Sequence, residues 1–450
     1  MENKLTRKYG LLTAICMVVG TVIGSGIFFR NEEIIAVTGG RIWIAIAAWV
    51  TGGIIALSGA YVFSVLATRH ERVGGLVDYS EALLGERYGF MFGWFMSIIF
   101  YPSLGGILAW VAGRFTVEMF GWDVNPLFSA QTYVLALFYL VLIFSMNALS
   151  PKLAGKFHVS TTFIKLVPLI GMGVVGTTVG MFNGVTVENL RSDYVYNVVP
   201  YPFLAALIAT VFAYVGWDSV LSLNSEIKNS KRNLPIALIV GMCIIMTIYV
   251  LYTVGLFGSV ALPDLSVRGG VLNAFQGVFG SAAGAGLFAF IVVSTLGALN
   301  GITVAGQRAF YITAVRGRGL NPKVFSQVDP ITNASNNSAI LFVLIASVWA
   351  VVNAGNFAGW YGGLNFDIMG FVPITFQTML VPVYVWVIFR EKDLGVFNRF
   401  IAPLIAAGGS LFLVYAIVTR DGMRVLWYLG VFAVIMAVGA IFAAQKPKNL

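Results

Sequence analysis

Gly20-Thr21-Val22-Ile23-Gly24-Ser25-Gly26-Ile27-Phe28-Phe29 interrupts the first long apolar run of this 450-residue chain with glycines and small hydroxyl residues. A plain membrane helix would carry leucine and alanine there. Glycine favours unwound backbone, and unwinding frees N–H and C=O groups from the helix ladder. In hydrocarbon such groups are costly unless something satisfies them, so broken helices at membrane depth line cavities where a ligand or water does so. A packing face is the competing reading, because Gly20, Gly24 and Ser25 also fit a small-residue contact between helices.

The surrounding chain places this stretch in a membrane. It is 58% hydrophobic and 10% charged, with mean hydropathy +0.87. A spanning helix needs about 20 apolar residues, and such runs recur from end to end, which predicts one all-α integral membrane domain. Lys4, Arg7 and Lys8 precede the first run and no small-residue cleavage site follows, so an uncleaved helix is expected rather than a signal peptide. Helices are expected at 11–36, 40–68, 88–117, 128–149, 157–181, 200–227, 234–259, 282–314, 338–354, 360–389, 399–419 and 424–443. With a cytoplasmic N-terminus, most lysines and arginines fall in loops on the inner side. Only Arg30, Arg41, Arg114, Arg191, Arg268, Arg420 and Arg424 lie on the other. That is the positive-inside pattern; it puts both termini inside and explains the net charge of +9 without nucleic acid as a partner. The longest outer loop, about 182–199, reads as a lid or a connector, and the sequon at Asn333 sits on the inner side.

A second interruption lies in the sixth helix, in Thr210-Val211-Phe212-Ala213-Tyr214-Val215-Gly216-Trp217-Asp218-Ser219. Helices one and six hold corresponding places if 11–181 and 200–389 are two five-helix repeats followed by a terminal pair, 399–443. Paired interruptions of this kind point to a transporter site. A half-helix that starts at a break offers N–H groups and a positive dipole end, which suits a carboxylate. One that ends at a break offers carbonyls, which suit an ammonium group. A free α-amino acid carries both charges and could be held by main chain alone. Ser25 is expected to cap the second half of helix one, and Asp218 or Ser219 the second half of helix six.

Lys165, in the fifth helix, is a functional candidate because an ionisable group inside a span is expensive. Buried against the first break, its ammonium could replace a bound cation; about two turns from the inner end, it could instead snorkel. Asn300, Gln307, Arg308 and Glu226 are further buried polar residues, and Asn300 could equally be interhelical glue. Asn365, Asp367, Pro373 and Pro382 suggest a bent tenth helix. Cys16 and Cys243 fall in separate predicted helices, and His70 and His158 are too far apart to suggest a metal pair, so no disulfide, metal or cofactor is expected. No nucleophile–base constellation or phosphate-cradling loop suggests an enzyme.

These residues resemble a family. Gly24-Ser25-Gly26-Ile27-Phe28 resembles the helix-one signature of the amino acid–polyamine–organocation superfamily, and Phe212-Ala213-Tyr214-Val215-Gly216-Trp217 the helix-six signature of its L-type amino acid transporter branch. Gly74-Gly75 with Tyr79, the run from Glu226 to Pro235, and Asn300-Gly301 with Arg308, Tyr311, Arg316 and Gly319-Leu320 extend the match over most of the chain. The resemblance implies a leucine-transporter-type fold of five plus five inverted helices with two added. It also implies a sodium-independent exchanger working by alternating access. By the same resemblance, Ser25, Gly26 and Ile27 amides hold the substrate carboxylate, and Ile23, Phe212, Ala213 and Val215 carbonyls hold its amino group. Phe212 is then a gate and Lys165 a stand-in for sodium, with Asn300 and Trp217 as secondary positions.

Two departures sharpen the expectation. Val215 replaces a glycine of the animal branch, which points to a smaller pocket and to alanine, serine, glycine or cysteine as substrate. The loop 118–127 lacks the cysteine that bonds an ancillary glycoprotein in animal members, so no disulfide-linked subunit is expected and a bacterial plasma-membrane protein is. The alternatives are a proton-coupled amino acid symporter, a cationic amino acid or polyamine transporter using Asp218, and a channel or receptor.

Overall fold

The computed structural model describes residues 7, 9–70, 74–123, 125–192, 199–267, 269–330, 332, 334–362 and 366–445. Eleven helices are long and apolar enough to cross a membrane, or twelve when the bent pair Leu11–Val22 and Gly26–Val37 is one span. The spanning helices are α1 (Leu11–Val22), α2 (Gly26–Val37), α3 (Ile42–Arg69), α4 (Glu86–Phe120), α5 (Ala130–Leu149), α6 (Pro151–Phe182) and α7 (Pro202–Ala213). They continue as α8 (Ser230–Phe257), α9 (Ala283–Ala314), α10 (Asn336–Phe357), α11 (Ile368–Arg390), α12 (Phe397–Asp421) and α13 (Arg424–Ala443). The sequon position Asn333, Asn365 and the middle of the loop 182–199 lie outside the described residues.

Local chemistry sets several boundaries. The Ser129 hydroxyl accepts the Thr132 N–H at 3.1 Å and starts α5. Pro151 occupies the first turn of α6, where its missing N–H is no loss, so this helix starts six residues before the expected 157. The Asp367 carboxylate accepts the Met369 N–H at 2.9 Å and starts α11, eight residues after the expected 360. Gly359 and Gly362, at φ +71° and +59°, break the chain ahead of it. The residues after the second break are also not α-helical: Trp217–Glu226 winds as a tighter 3₁₀ helix.

The third span is the central pillar. In α4, 94% of the most apolar window is buried, against 17% in α13, which lies on the rim. One side of α4 packs on α5, α9 and α10, while α3 packs on α7, α8 and α12, and α1 touches α6, α8 and α9. Small residues permit these approaches: a Cβ on Gly106 of α4 would meet the Ala346 carbonyl of α10 at 2.7 Å. Ahead of α1, the Tyr9 N–H donates to the Glu226 carbonyl at 3.0 Å and its own carbonyl accepts the Lys228 N–H at 2.8 Å. Two main-chain bonds thus join the entry to α1 with the exit of Trp217–Glu226.

Candidate binding site between two broken helices

The break between α1 and α2 bends the first span by 45°. In the sixth span α7 ends at Ala213, and the chain turns through Gly216 at φ +110°, a conformation suited to glycine, before the 3₁₀ helix begins. The two breaks touch. A Cβ on Gly26 would stand 3.2 Å from Ala213 Cα, and one on Gly216 3.1 Å from Thr21 Cγ2. Between them lies a partly open space of about 350 Å³, walled by Thr21, Gly24, Gly26, Phe212, Ala213 and Val215 and flanked by residues of α4 and α9. Gly20 does a different job: a side chain there would collide with Thr162 and His158 of α6. Packing and unwinding both operate in this stretch, at different glycines.

The electrostatics follow from where helices start and stop. Gly26 and Ile27 open α2, so their N–H groups have no acceptor within that helix and form its positive end. Ser25 holds the cap position, but its own backbone is helical (φ −71°, ψ −19°) and its buried hydroxyl makes no hydrogen bond. The expected cap is therefore absent, because capping needs an extended residue to aim the side chain back. On the other side of the break, the fully buried Lys165 ammonium donates to the Gly20 carbonyl at 2.8 Å, to Ile23 at 2.5 Å and to Ser294 of α9 at 3.1 Å. With α6 starting at Pro151, Lys165 is 14 residues into its helix (165 − 151), about four turns, and snorkelling is out of the question.

The other expected positions are distributed as follows. The Ala213 carbonyl accepts the Tyr249 hydroxyl of α8 at 2.8 Å, and that hydroxyl also lies 3.4 Å from the Val22 carbonyl of the first break. The Phe212 carbonyl takes the Val215 N–H at 3.4 Å. Ile23 and Ala213 thus already hold internal donors, each with a lone pair to spare. The Phe212 ring forms one wall, 6.5 Å from Phe29 and with the Arg30 guanidinium 5.5 Å above it; Arg30 in turn pairs with Glu33. Trp217 lines a separate space of about 410 Å³ with Gly59 and Tyr384, and Val215 is the one residue common to the linings of both spaces. Asn300 does not line the space between the breaks; it bonds to Asn147 at 2.7 Å and to the Ala154 carbonyl at 3.2 Å, an interhelical tie. Asp218 and Ser219 do not cap: the Asp218 carboxylate accepts the Tyr101 hydroxyl at 2.9 Å, and the Ser219 hydroxyl donates to the Gly216 carbonyl at 2.7 Å. Among the described residues no group of three His, Cys, Asp or Glu could hold a metal ion.

A family model described as "Amino acid permease" matches residues 9–443. The chain belongs to the amino acid permease family. A serine/threonine exchanger of Bacillus subtilis is 30% identical to this permease over 331 residues, 73% of either chain. The b(0,+)-type amino acid transporter 1 of Mus musculus is 25% identical over 444 residues, 96% of the permease and 89% of the relative. The cystine/glutamate transporter of Homo sapiens is 23% identical over 369 residues, 79% and 72% respectively. The permease is a multi-pass membrane protein related to transporters along nearly its whole length.

Sequence reasoning missed two residues that hold the permease's breaks in place. Tyr249 is one aromatic among many in an apolar helix, and nothing in its neighbourhood marks it. Asn31 donates to the Ile27 carbonyl at 2.9 Å and accepts from Trp49 at 3.2 Å and Thr253 at 2.7 Å, fastening α2 to α3 and α8. It lies among the charged residues Arg30, Glu32 and Glu33, and no motif sets it apart from them.

Proposed function

We propose that this permease exchanges small neutral L-amino acids across the plasma membrane by alternating access, without sodium. The observation that carries the reading is the contact of the two helix breaks at Gly26 and Ala213 around a small cavity. In it, the amides of Ser25, Gly26 and Ile27 take the substrate carboxylate. The carbonyls of Ile23, Phe212, Ala213 and Val215 take its ammonium, with Phe212 as the gate. Lys165 takes the place of a sodium ion at the first break. Residues 11–181 and 200–389 act as inverted repeats, 399–443 adds two helices, and both termini face the cytoplasm of a bacterial cell. No disulfide-linked subunit is needed. The relationship to a serine/threonine exchanger supports exchange, and Val215 in the wall supports a short side chain.

Counterflow tests the proposal. Proteoliposomes loaded with serine should take up labelled alanine in sodium or in choline alike, and unloaded ones should not. Uptake that ignores internal amino acid and follows a pH gradient would instead support the proton symporter, and uptake of cationic substrates lost in Asp218→Asn the cationic transporter.

A further inference from the structure

A second cavity, with many polar groups on its wall, is separate from the space between the breaks and meets it at Thr21. It has an empty volume of about 1190 Å³ and is walled by α1, α6, α9 and the 3₁₀ segment, with Tyr9 on the face where the chain begins. On the exchange reading, an amino acid leaving the breaks past Thr21 enters it. Three features of its wall point to a ligand. Gln307 is only 8% exposed, and its side-chain amide nitrogen makes no hydrogen bond within the protein. A buried amide without a partner is costly, and groups of this kind are normally satisfied. Arg308, the next residue of α9, donates to the Ser222 carbonyl at 3.1 Å and pairs with Glu226, which leaves part of its five-donor fork over. Finally, no Asp or Glu is among the described residues that line the cavity, so Arg308 is the one charged side chain on its wall, with its counter-charge Glu226 outside the lining.

We propose that this vestibule contains a second, transient amino acid site, in which the substrate carboxylate docks between the Gln307 amide and the Arg308 guanidinium. The inference rests on the exchange reading given above. The site satisfies the Gln307 amide only while substrate passes, and it raises the local concentration of zwitterion at the mouth of the breaks. Its hold is on the carboxylate, so it does not discriminate among side chains. Because it lies on one side of the breaks, it acts on substrate arriving from the vestibule face alone.

Gln307→Met keeps the length of the side chain and removes the donor, whereas Gln307→Glu adds a like charge for the carboxylate. Arg308 is left intact because Glu226 depends on it. Labelled alanine exchange is measured from each face in proteoliposomes sorted by orientation, with each variant checked for a monodisperse elution profile. Half-saturation from the vestibule face should rise about tenfold in Gln307→Met, the lower end of the loss expected for one hydrogen bond to a charged group, and further in Gln307→Glu. Half-saturation from the opposite face should stay at the wild-type value. If both faces shift equally, or neither shifts, the vestibule site is refuted while the exchange reading stands. If the wild-type protein shows no exchange, it is the exchange reading that fails.

Discussion

Substituting glycine for Val215 removes three carbons from the partition between two spaces of about 350 and 410 Å³. On the proposed reading the first receives the substrate side chain and the second is closed to it. Opening the partition lets a leucine side chain, three carbons longer than that of alanine, extend toward Gly59 and Tyr384. Three carbon groups are worth about 2.4 kcal/mol at full burial, at about 0.8 kcal/mol each. The joined space stays partly open, so we take half of this, about 1.2 kcal/mol, which corresponds to about an eightfold change in relative affinity. The backbone cost, about 0.5–1 kcal/mol from the added freedom of glycine in the unfolded chain, falls on stability and leaves the leucine-to-alanine ratio untouched. The assay is competition of unlabelled leucine and alanine against labelled alanine in counterflow. In Val215→Gly the leucine-to-alanine ratio of inhibition should move about eightfold toward leucine, with alanine affinity nearly unchanged. A folded variant whose ratio stays at the wild-type value, or whose affinity falls equally for both, would refute the partition argument.

Lys165→Ala strips an ammonium from the carbonyls of Gly20, Ile23 and Ser294, and transport per folded molecule should fall at least about tenfold, the scale of losing one charged hydrogen bond. Lys165→Arg should not restore it, since a planar fork does not fit the three directions met by an ammonium. Gly26→Val drives branched carbons against the Ala213 backbone, so exchange should be abolished while surface expression persists, as quantitative blotting of the membrane fraction would show. Tyr249→Phe frees the Ala213 carbonyl and should lower thermal stability by about 1 kcal/mol, with exchange retained in part; a melting curve in detergent reports it.

The spans were legible because hydropathy and the placement of basic residues are properties of whole segments, and single errors average out. The breaks were legible because glycine clusters inside apolar runs have few uses. What escaped depends on one side chain meeting another far away in sequence. Pro151 was present as a start signal, but the basic residues after it resembled loop, and this shortened α6 and made Lys165 look close to an end. Ser25 and Asp218 were read as caps from residue type alone, whereas the actual backbone angles at Ser25 and the proximity of Tyr101 decide otherwise. Trp217 is two residues beyond Val215 in the chain yet lines only one of the two spaces that Val215 touches, because the turn at Gly216 carries it away from the space between the breaks.

The bridge between Tyr9 and Ile227 has a mechanical consequence. α1 and Trp217–Glu226 are short pieces on the same side of their breaks, and each could swing alone about its own unwound hinge. Their two shared main-chain hydrogen bonds, at about 1 kcal/mol each, put separate swinging at about one molecule in thirty. The pair therefore has one degree of freedom where two unlinked levers would have two. A pull on the chain ahead of α1 is transmitted to the far break as directly as to the near one.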